Sequence, residues 1–374
     1  MAGIYIHIPF CKQRCRYCAF YSSTLHNKQQ DYCDALCKEL RLRSNSISDV
    51  VDTIYLGGGT PSTLTGIQLK QILDTVKENY NLSPSAEITI EANPDDLTTE
   101  YLTTLRQLSF NRLSMGVQSF DDQQLKALGR RHTAQKAIQA VQDAKTVGFN
   151  NISIDLMFAL PSSTIKQWRE SIEQAISLHP THISAYNLTY EEETPLFHAL
   201  QQGSITAIDE EENLKQFEIL IDTLTSAGYK HYEISNFALP GYESRHNSSY
   251  WHDIPYLGCG AAAHSYDGHS RSWNIANINE YIAGIESNNP NFEIEHLSIS
   301  EQYNDAILTR LRTADGLSIE WIREKFGNRL TDYMLKNAAQ HITSKHLKES
   351  NGTLKLTRKG IFISDAIMRD LIYI

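Results

Sequence analysis

Residues 3–18 read Gly3-Ile4-Tyr5-Ile6-His7-Ile8-Pro9-Phe10-Cys11-Lys12-Gln13-Arg14-Cys15-Arg16-Tyr17-Cys18. The stretch predicts a β-strand, Gly3–Ile8, that runs straight into three cysteines spaced C-x3-C-x2-C. Three thiolates on one short loop can hold three corners of a [4Fe–4S] cluster and leave the fourth iron open to an external ligand. Zinc is the competing reading. A zinc site recruits a second ligand pair at C-x2–4-C or H-x3–5-H spacing, and none follows at a plausible distance.

Working outward from that strand, apolar β-branched runs alternate with helical-period segments through most of the chain. Further strands are predicted at Val51–Leu56, Glu87–Glu91, Arg112–Val117, Ile152–Met157 and His182–Leu188, with helices at Gln30–Ser44, Gly66–Tyr80, Thr99–Leu108, Thr133–Val147, Thr164–Leu178 and Glu210–Ala227. Six βα repeats predict an α/β fold with a parallel sheet, wrapped as a partial (β/α)6 TIM-type barrel over residues 1–228. A flat doubly wound sheet is the alternative. The segment Tyr229–Trp273, rich in Tyr, His, Asn, Ser and Gly, suits site-lining loops better than regular elements, and residues 229–296 are expected to link two domains. From residue 297 to 374 the pattern is short helices (Gln302–Leu311, Ser318–Phe326, Asp332–Thr343), then a hairpin Leu347–Leu356 turning at Asn351-Gly352, then a last helix from about Lys359. This is a small, mainly helical, winged-helix-like C-terminal domain without a strong basic stripe.

The bulk properties set limits. A length of 374 residues predicts two or three domains at roughly 150 residues each, or one barrel of roughly 250 residues with an appendage. With 41% hydrophobic and 21% charged residues, a sizeable core is affordable and wholesale disorder is excluded. The net charge of −10 argues against nucleic acid as a partner, because no basic excess exists to neutralise phosphates. No run approaches eighteen apolar residues, the length at which a membrane helix is suspected, and the N-terminus has no signal-peptide pattern. Six cysteines are too few for a disulfide scaffold, so a reduced, cytoplasmic protein is expected.

Several landmarks fall at predicted strand ends, which meet on one face in a barrel. Gly57-Gly58-Gly59-Thr60-Pro61 ends the second strand, where a backbone without Cβ atoms lets a ligand approach; an ordinary glycine-rich turn is the alternative. Glu91 ends the third strand, Gln118 the fourth, Asp155 lies in the fifth and Arg130 follows the fourth. Cys33 and Cys37 share a helical face with Leu36 and Leu40 and are read as core, while Cys259 sits in a small-residue loop and is not assigned as a ligand. His246-Asn247-Ser248-Ser249-Tyr250-Trp251 puts a histidine and two aromatic rings within six residues. Such a loop can offer an axial ligand and flat surfaces to a porphyrin, although a packed aromatic corner explains most stretches of this kind.

The cysteine loop, with Tyr17 before its third cysteine, resembles the radical S-adenosylmethionine (SAM) superfamily. Together with Tyr5–Cys11 and Gly57–Pro61 it is similar to the oxygen-independent coproporphyrinogen III oxidase-like family, and most of all to its heme-chaperone branch, HemW, across essentially the whole chain. The resemblance implies a cluster on Cys11, Cys15 and Cys18 with SAM chelating the open iron. It further implies SAM contacts at Tyr5, Tyr17, Gly58, Gly59, Thr60, Glu91, Gln118, Arg130 and Asp155, with His264 in a loop that closes over the cofactor. The letters HNxxYW match the heme-binding motif of the chaperone branch, implying heme contacts at His246, Asn247, Tyr250 and Trp251, with His252 and His264 close enough in sequence to serve as iron ligand instead. The implied partners are heme and heme-accepting proteins, including respiratory ones at the membrane, and a homodimer is a further expectation. The dehydrogenases carry a fourth cysteine two positions beyond the third and an N-terminal extension. Here Phe20 stands at that cysteine's position and ten residues precede Cys11, which disfavours coproporphyrinogen oxidation and leaves the enzyme class open.

Anaerobic reconstitution is expected to give about four iron and four sulfide per chain, the content of one cluster. Replacing Cys11, Cys15 or Cys18 by Ala should abolish the brown chromophore, whereas Cys33→Ala and Cys37→Ala should keep it. Iron content indifferent to Cys15→Ala refutes the assignment.

Overall fold

The computed structural model describes every residue from Met1 to Ile374. The six predicted strands form as β1 (Ala2–Ile8), β2 (Val51–Gly58), β3 (Leu82–Ala92), β4 (Arg112–Gln118), β5 (Asn151–Phe158) and β6 (His182–Asn187), all parallel and in sequential order. Helices follow each strand at Gln29–Leu42, Gly66–Asn79, Thr99–Gln107, Ala134–Thr146, Ile165–Ser177 and Glu210–Ser226. Their starts are written locally. Thr65 and Thr164 each accept from the backbone N–H of a glutamine three residues on, and each glutamine reaches back to the cap's own N–H.

Alternation along the strands separates two environments. Ile4, Ile6 and Ile8, Ile54 and Leu56, Ile88 and Ile90, Leu113 and Met115, Ile152 and Ile154, and Ile183 point outward and are buried under the helices. At about 25 cal/mol per Å² of buried apolar surface, this layer is the main source of cohesion. The opposite parity is almost wholly polar: Tyr5 and His7, Thr53 and Tyr55, Thr89 and Glu91, Arg112 and Ser114, Ser153 and Asp155, Ser184 and Tyr186. These residues share the concave face of the curved sheet.

The segment expected to be loops is largely regular. It adds β7 (Lys230–Glu233) and β8 (Asn236–Ala238) beyond β6, then β9 (Tyr256–Cys259), β10 (His264–Tyr266), β11 (Ser270–Asn274) and β12 (Phe292–His296) beyond β1. The result is one twelve-stranded sheet, ordered β12-β11-β10-β9-β1-β2-β3-β4-β5-β6-β8-β7, with two free edges, so the barrel does not close. The HNxxYW residues are helical too, within Arg245–Trp251, capped by the Ser244 hydroxyl on the Asn247 N–H. These strands are three to five residues long, too short for a period to declare itself between turn-forming residues.

The residues after 297 pack around a separate apolar cluster that includes Tyr303, Ile307, Leu317, Ile322, Met334, Leu354 and Ile367. Helices Ile299–Arg310 and Ile319–Thr343, the latter broken at Gly327, flank a three-stranded sheet of Leu317–Ser318, Leu347–Ser350 and Thr353–Leu356. Its hairpin turns at Asn351 and Gly352, both at positive φ (52° and 71°), the primed turn that an Asn-Gly pair favours. No helix is long and apolar enough to cross a membrane.

One buried carboxylate fastens the added strands to the barrel. Glu39, on the first helix, accepts from Arg43 Nη1 (3.0 Å), the Gly260 N–H (2.8 Å), Asn274 Nδ2 (2.8 Å) and Tyr281 O–H (2.6 Å). Glu39→Leu strands four donors at once and should lower unfolding stability by about 3–5 kcal/mol in urea titrations. A loss below about 1 kcal/mol removes Glu39 as the fastening.

Candidate functional site

The cysteine loop leaves the C-terminal end of β1 and is held mainly by its backbone. The Cys11 N–H donates to Ser23 O (2.9 Å), the Arg16 N–H to Leu128 O (2.9 Å), and the Leu196 N–H to Arg16 O (2.9 Å). The glycine run lies against it, with the Gly59 N–H on Ile8 O at 2.9 Å. A Cβ on Gly59 would sit 2.8 Å from the carbonyl carbon of Pro9 and 3.0 Å from Phe10 O, so this position must be glycine before any ligand is considered. Gly58 combines φ +107° with the His7 ring 2.6 Å from where a Cβ would be.

At this end of the sheet opens a cavity of about 570 Å³. Cys11, Cys15, Cys18, Tyr17, Gly58, Gly59, Thr60, Glu91, Gln118, Arg130 and Asp155 all line it, so eleven of the expected cofactor residues converge from five strands and their loops. Tyr5 belongs to the same face but lies behind it, stacked on Tyr55 and donating to or accepting from His7 Nδ1 at 3.0 Å. His264 does not line the cavity. Its strand, β10, is in the added edge, where its exposed ring stacks on Trp273 instead.

The donor set suits a cluster better than one ion. All six cysteines are free thiols, yet no three His, Cys, Asp or Glu side chains converge on a single metal position. A cubane spreads its thiolates over separate irons, which is what a three-cysteine loop with no fourth ligand can supply. Arg130 Nη1 donates to Cys15 Sγ at 3.3 Å, and the same guanidinium is steadied by Asn93 Oδ1 at 2.5 Å and by the Gly116 carbonyl. Thr60 Oγ1 donates to Cys11 Sγ at 3.5 Å. Burial raises the Cys11 and Cys18 thiols, and at Cys11 the Thr60 hydroxyl and the Arg130 charge act against it.

Beneath the cysteines the cavity floor is ionisable. Glu91 accepts from Tyr55 O–H (2.7 Å) and the Gly58 N–H (3.2 Å), and burial pushes its carboxyl up to about 7. Asp155, also raised by burial, accepts from Ser114 and Ser153. Between them stands Arg112, 1% exposed, whose Nε and Nη1 have no hydrogen-bond partner. Arg112, Ser114, Ser184 and Tyr186 were not among the expected site residues. The signal was available in their sequence, as polar positions recurring at every second residue of otherwise apolar strands.

The HNxxYW helix divides its side chains. Asn247 reaches the main cavity, whereas Tyr250 and Trp251 line a second cleft of about 360 Å³ on the helix's other side. His246 faces neither. Its ring is buried between Tyr55 and Tyr5, with Nδ1 2.8 Å from Thr53 Oγ1 and Nε2 2.9 Å from Tyr250 O–H. Burial lowers its pKa to about 3, so it is neutral, with both nitrogens engaged. The period of the helix turns His246 inward onto β2, while Asn247 on one side and Tyr250 and Trp251 on the other reach the two cavities.

Glu91→Gln should stabilise the unliganded protein increasingly from pH 5 to pH 8. A raised carboxyl keeps its proton when folded but loses it when unfolded above about 4.5, so the wild-type contribution falls as pH rises through about 7. The expected gain at pH 8 is on the order of 1–3 kcal/mol, read as a pH-dependent Tm difference. A difference constant with pH refutes it.

Residues 5–175 match the model of the radical SAM superfamily, and residues 297–363 that of the HemN C-terminal domain. The heme chaperone HemW of Bacillus subtilis is 36% identical, with 98% of each chain covered. That of Escherichia coli is 39% identical over 70% of this chain and 69% of its own. Among solved structures, the coproporphyrinogen III oxidase HemN of Escherichia coli superposes with a TM-score of 0.86 at 23% identity, covering 99% of this chain and 90% of its own, a likeness of fold alone. Superfamily membership implies a [4Fe–4S] cluster and SAM. With a relative 36% identical along 98% of both chains, this chain belongs to the HemW family of radical SAM proteins.

Proposed function

We propose that the protein is a heme chaperone, binding heme and passing it to a heme-requiring acceptor, with a [4Fe–4S] cluster on Cys11, Cys15 and Cys18 and SAM in the main cavity. The observation that carries this reading is the HNxxYW helix standing between the cavity and the second cleft, in a chain of the HemW family. When bound, the cluster and SAM supply one-electron chemistry. The chain's own residues do the rest. Arg130 orients Cys15, and the glycine backbone at Gly58 and Gly59 gives close access for a ligand amino group. Glu91 and Asp155 offer carboxylates to ribose hydroxyls and to a sulfonium charge, while Gln118 and Thr60 add neutral polar contacts. Tyr250 and Trp251 present flat surfaces to a porphyrin, and Asn247 reaches into the cofactor cavity from the same helix. Cytoplasmic residence, a membrane-associated acceptor and a homodimer are further parts of this reading.

The competing reading is oxidation of coproporphyrinogen III. Against it stands Phe20, 73% exposed at the mouth of the cavity, in the place where the dehydrogenases carry a fourth cysteine.

Two assays separate the readings. Heme added to the reconstituted protein should give a Soret band and should pass to an apo heme protein added afterwards. With SAM and a reductant, coproporphyrinogen III should remain unconverted. Efficient formation of protoporphyrinogen IX transfers the function to the dehydrogenase class, and absence of a Soret band removes heme altogether.

A further inference from the structure

The second cleft lies between helix Arg245–Trp251, strands β9–β11 and helix Ile299–Arg310. Tyr250, Trp251, Tyr256 and Tyr266 give it aromatic walls. Most of its charges are already committed. Asp253 accepts from Tyr266 O–H and pairs with Lys325, and Arg271 pairs with Asp305. Arg310 is the exception. It lines the cleft without any ion pair, its guanidinium lies 3.6 Å from the centroid of the Trp321 ring, and its Nε is buried without a partner. Trp251 Nε1 is likewise a buried donor without an acceptor. Arg310 is therefore the cation of the cleft that has no carboxylate partner, set among aromatic walls that suit a flat ligand bearing an acid group.

We propose that this cleft is the heme seat, with the macrocycle against Tyr250, Trp251 and Tyr256 and a propionate carboxylate on Arg310. The proposal rests on the reading of the chain as a heme binder and adds where the heme lies and which cation holds it. A guanidinium suits a carboxylate in both charge and shape. The location also gives His246 a task that its buried position allows: it is a positioning residue, bracing the Tyr250 hydroxyl from behind. Heme in the cleft leaves the cysteine cavity free, so heme and SAM occupy opposite sides of one helix. A porphyrin seated in the main cavity would instead exclude SAM.

The test uses ferric heme and its dimethyl ester, which has the same ring and iron but no propionate charge, titrated into the reconstituted full-length protein. Wild-type protein should bind heme about tenfold or more tightly than the ester, the scale of one charged hydrogen bond. Arg310→Gln should bring the ratio close to one, and Arg310→Lys should restore part of it, with iron content and thermal unfolding matched to wild type. Trp251→Leu should weaken both ligands alike, and saturating SAM should leave heme affinity unchanged. If Arg310→Gln fails to fold, the wild-type ester comparison and the SAM competition still decide. Equal binding of heme and ester by wild type, an unchanged ratio in Arg310→Gln, or displacement of heme by SAM overturns the assignment of the seat. Absence of a Soret band with either ligand overturns the heme reading itself.

Discussion

The concave face of β1–β6 carries hydroxyls, carboxylates, imidazoles and a guanidinium at nearly every inward position, and that polarity governs the architecture. A barrel interior of this kind cannot pack upon itself, because each buried polar group needs a partner. The lower layers meet the requirement internally. Thr53, His246 and Tyr250 form one hydrogen-bonded chain, and Ser153, His182 and Tyr232 form another, with 2.8 Å and 2.7 Å contacts at His182. Burial lowers both histidines and Arg112 adds to the effect, so both stay neutral beside the one cation. The upper layer leaves Glu91, Asp155 and Arg112 facing space. The sheet accordingly remains open, and cohesion falls to the apolar layer outside it.

That outer layer explains why so much of the fold can be read from the chain. Isoleucine at every second position of β1, with threonine-initiated helices between strands, states both the element type and its buried side. The cysteine spacing and the polar strand ends then pick out the mouth of the cavity, since parallel strands deliver their C-termini to one place. What resisted reading has a common physical origin. Strands β7–β12 are three to five residues long, and their burial ranges from wholly buried in β8 to wholly exposed in β12, so period carries little information. Phe292–His296 is exposed throughout. The role of His246 depended on helical phase, which a six-residue motif does not reveal until its neighbours are placed. Arg310 and the second cleft depend on how the C-terminal helices meet the sheet, a contact between segments that no local pattern encodes.

The helix Arg245–Trp251 gains its importance from this arrangement. Its N-terminus is tied to Glu87 on β3, which accepts from the Arg245 and His246 N–H groups at 3.0 Å and 3.3 Å. Its middle is locked to β2 through His246, and its far end faces the C-terminal helices. A short element held at three points is a rigid partition. It sets Asn247 and Trp251 on opposite sides while allowing little independent movement of either.

The main-chain anchoring of the cysteine loop has a consequence for how such a motif can vary. Ser23, Leu128 and Leu196 recognise backbone atoms at Cys11 and Arg16, and the side chains between the first two thiols add only surface contacts, Lys12 to Asp96 and Gln13 to the Gly129 carbonyl. Exchanging Lys12 or Gln13 gives up one surface contact and keeps the backbone anchors, whereas adding or deleting a residue shifts every later anchor out of register. The loop is thus tolerant of substitution and intolerant of insertion. For that reason its signature is a count of residues between cysteines and not a word spelled by them.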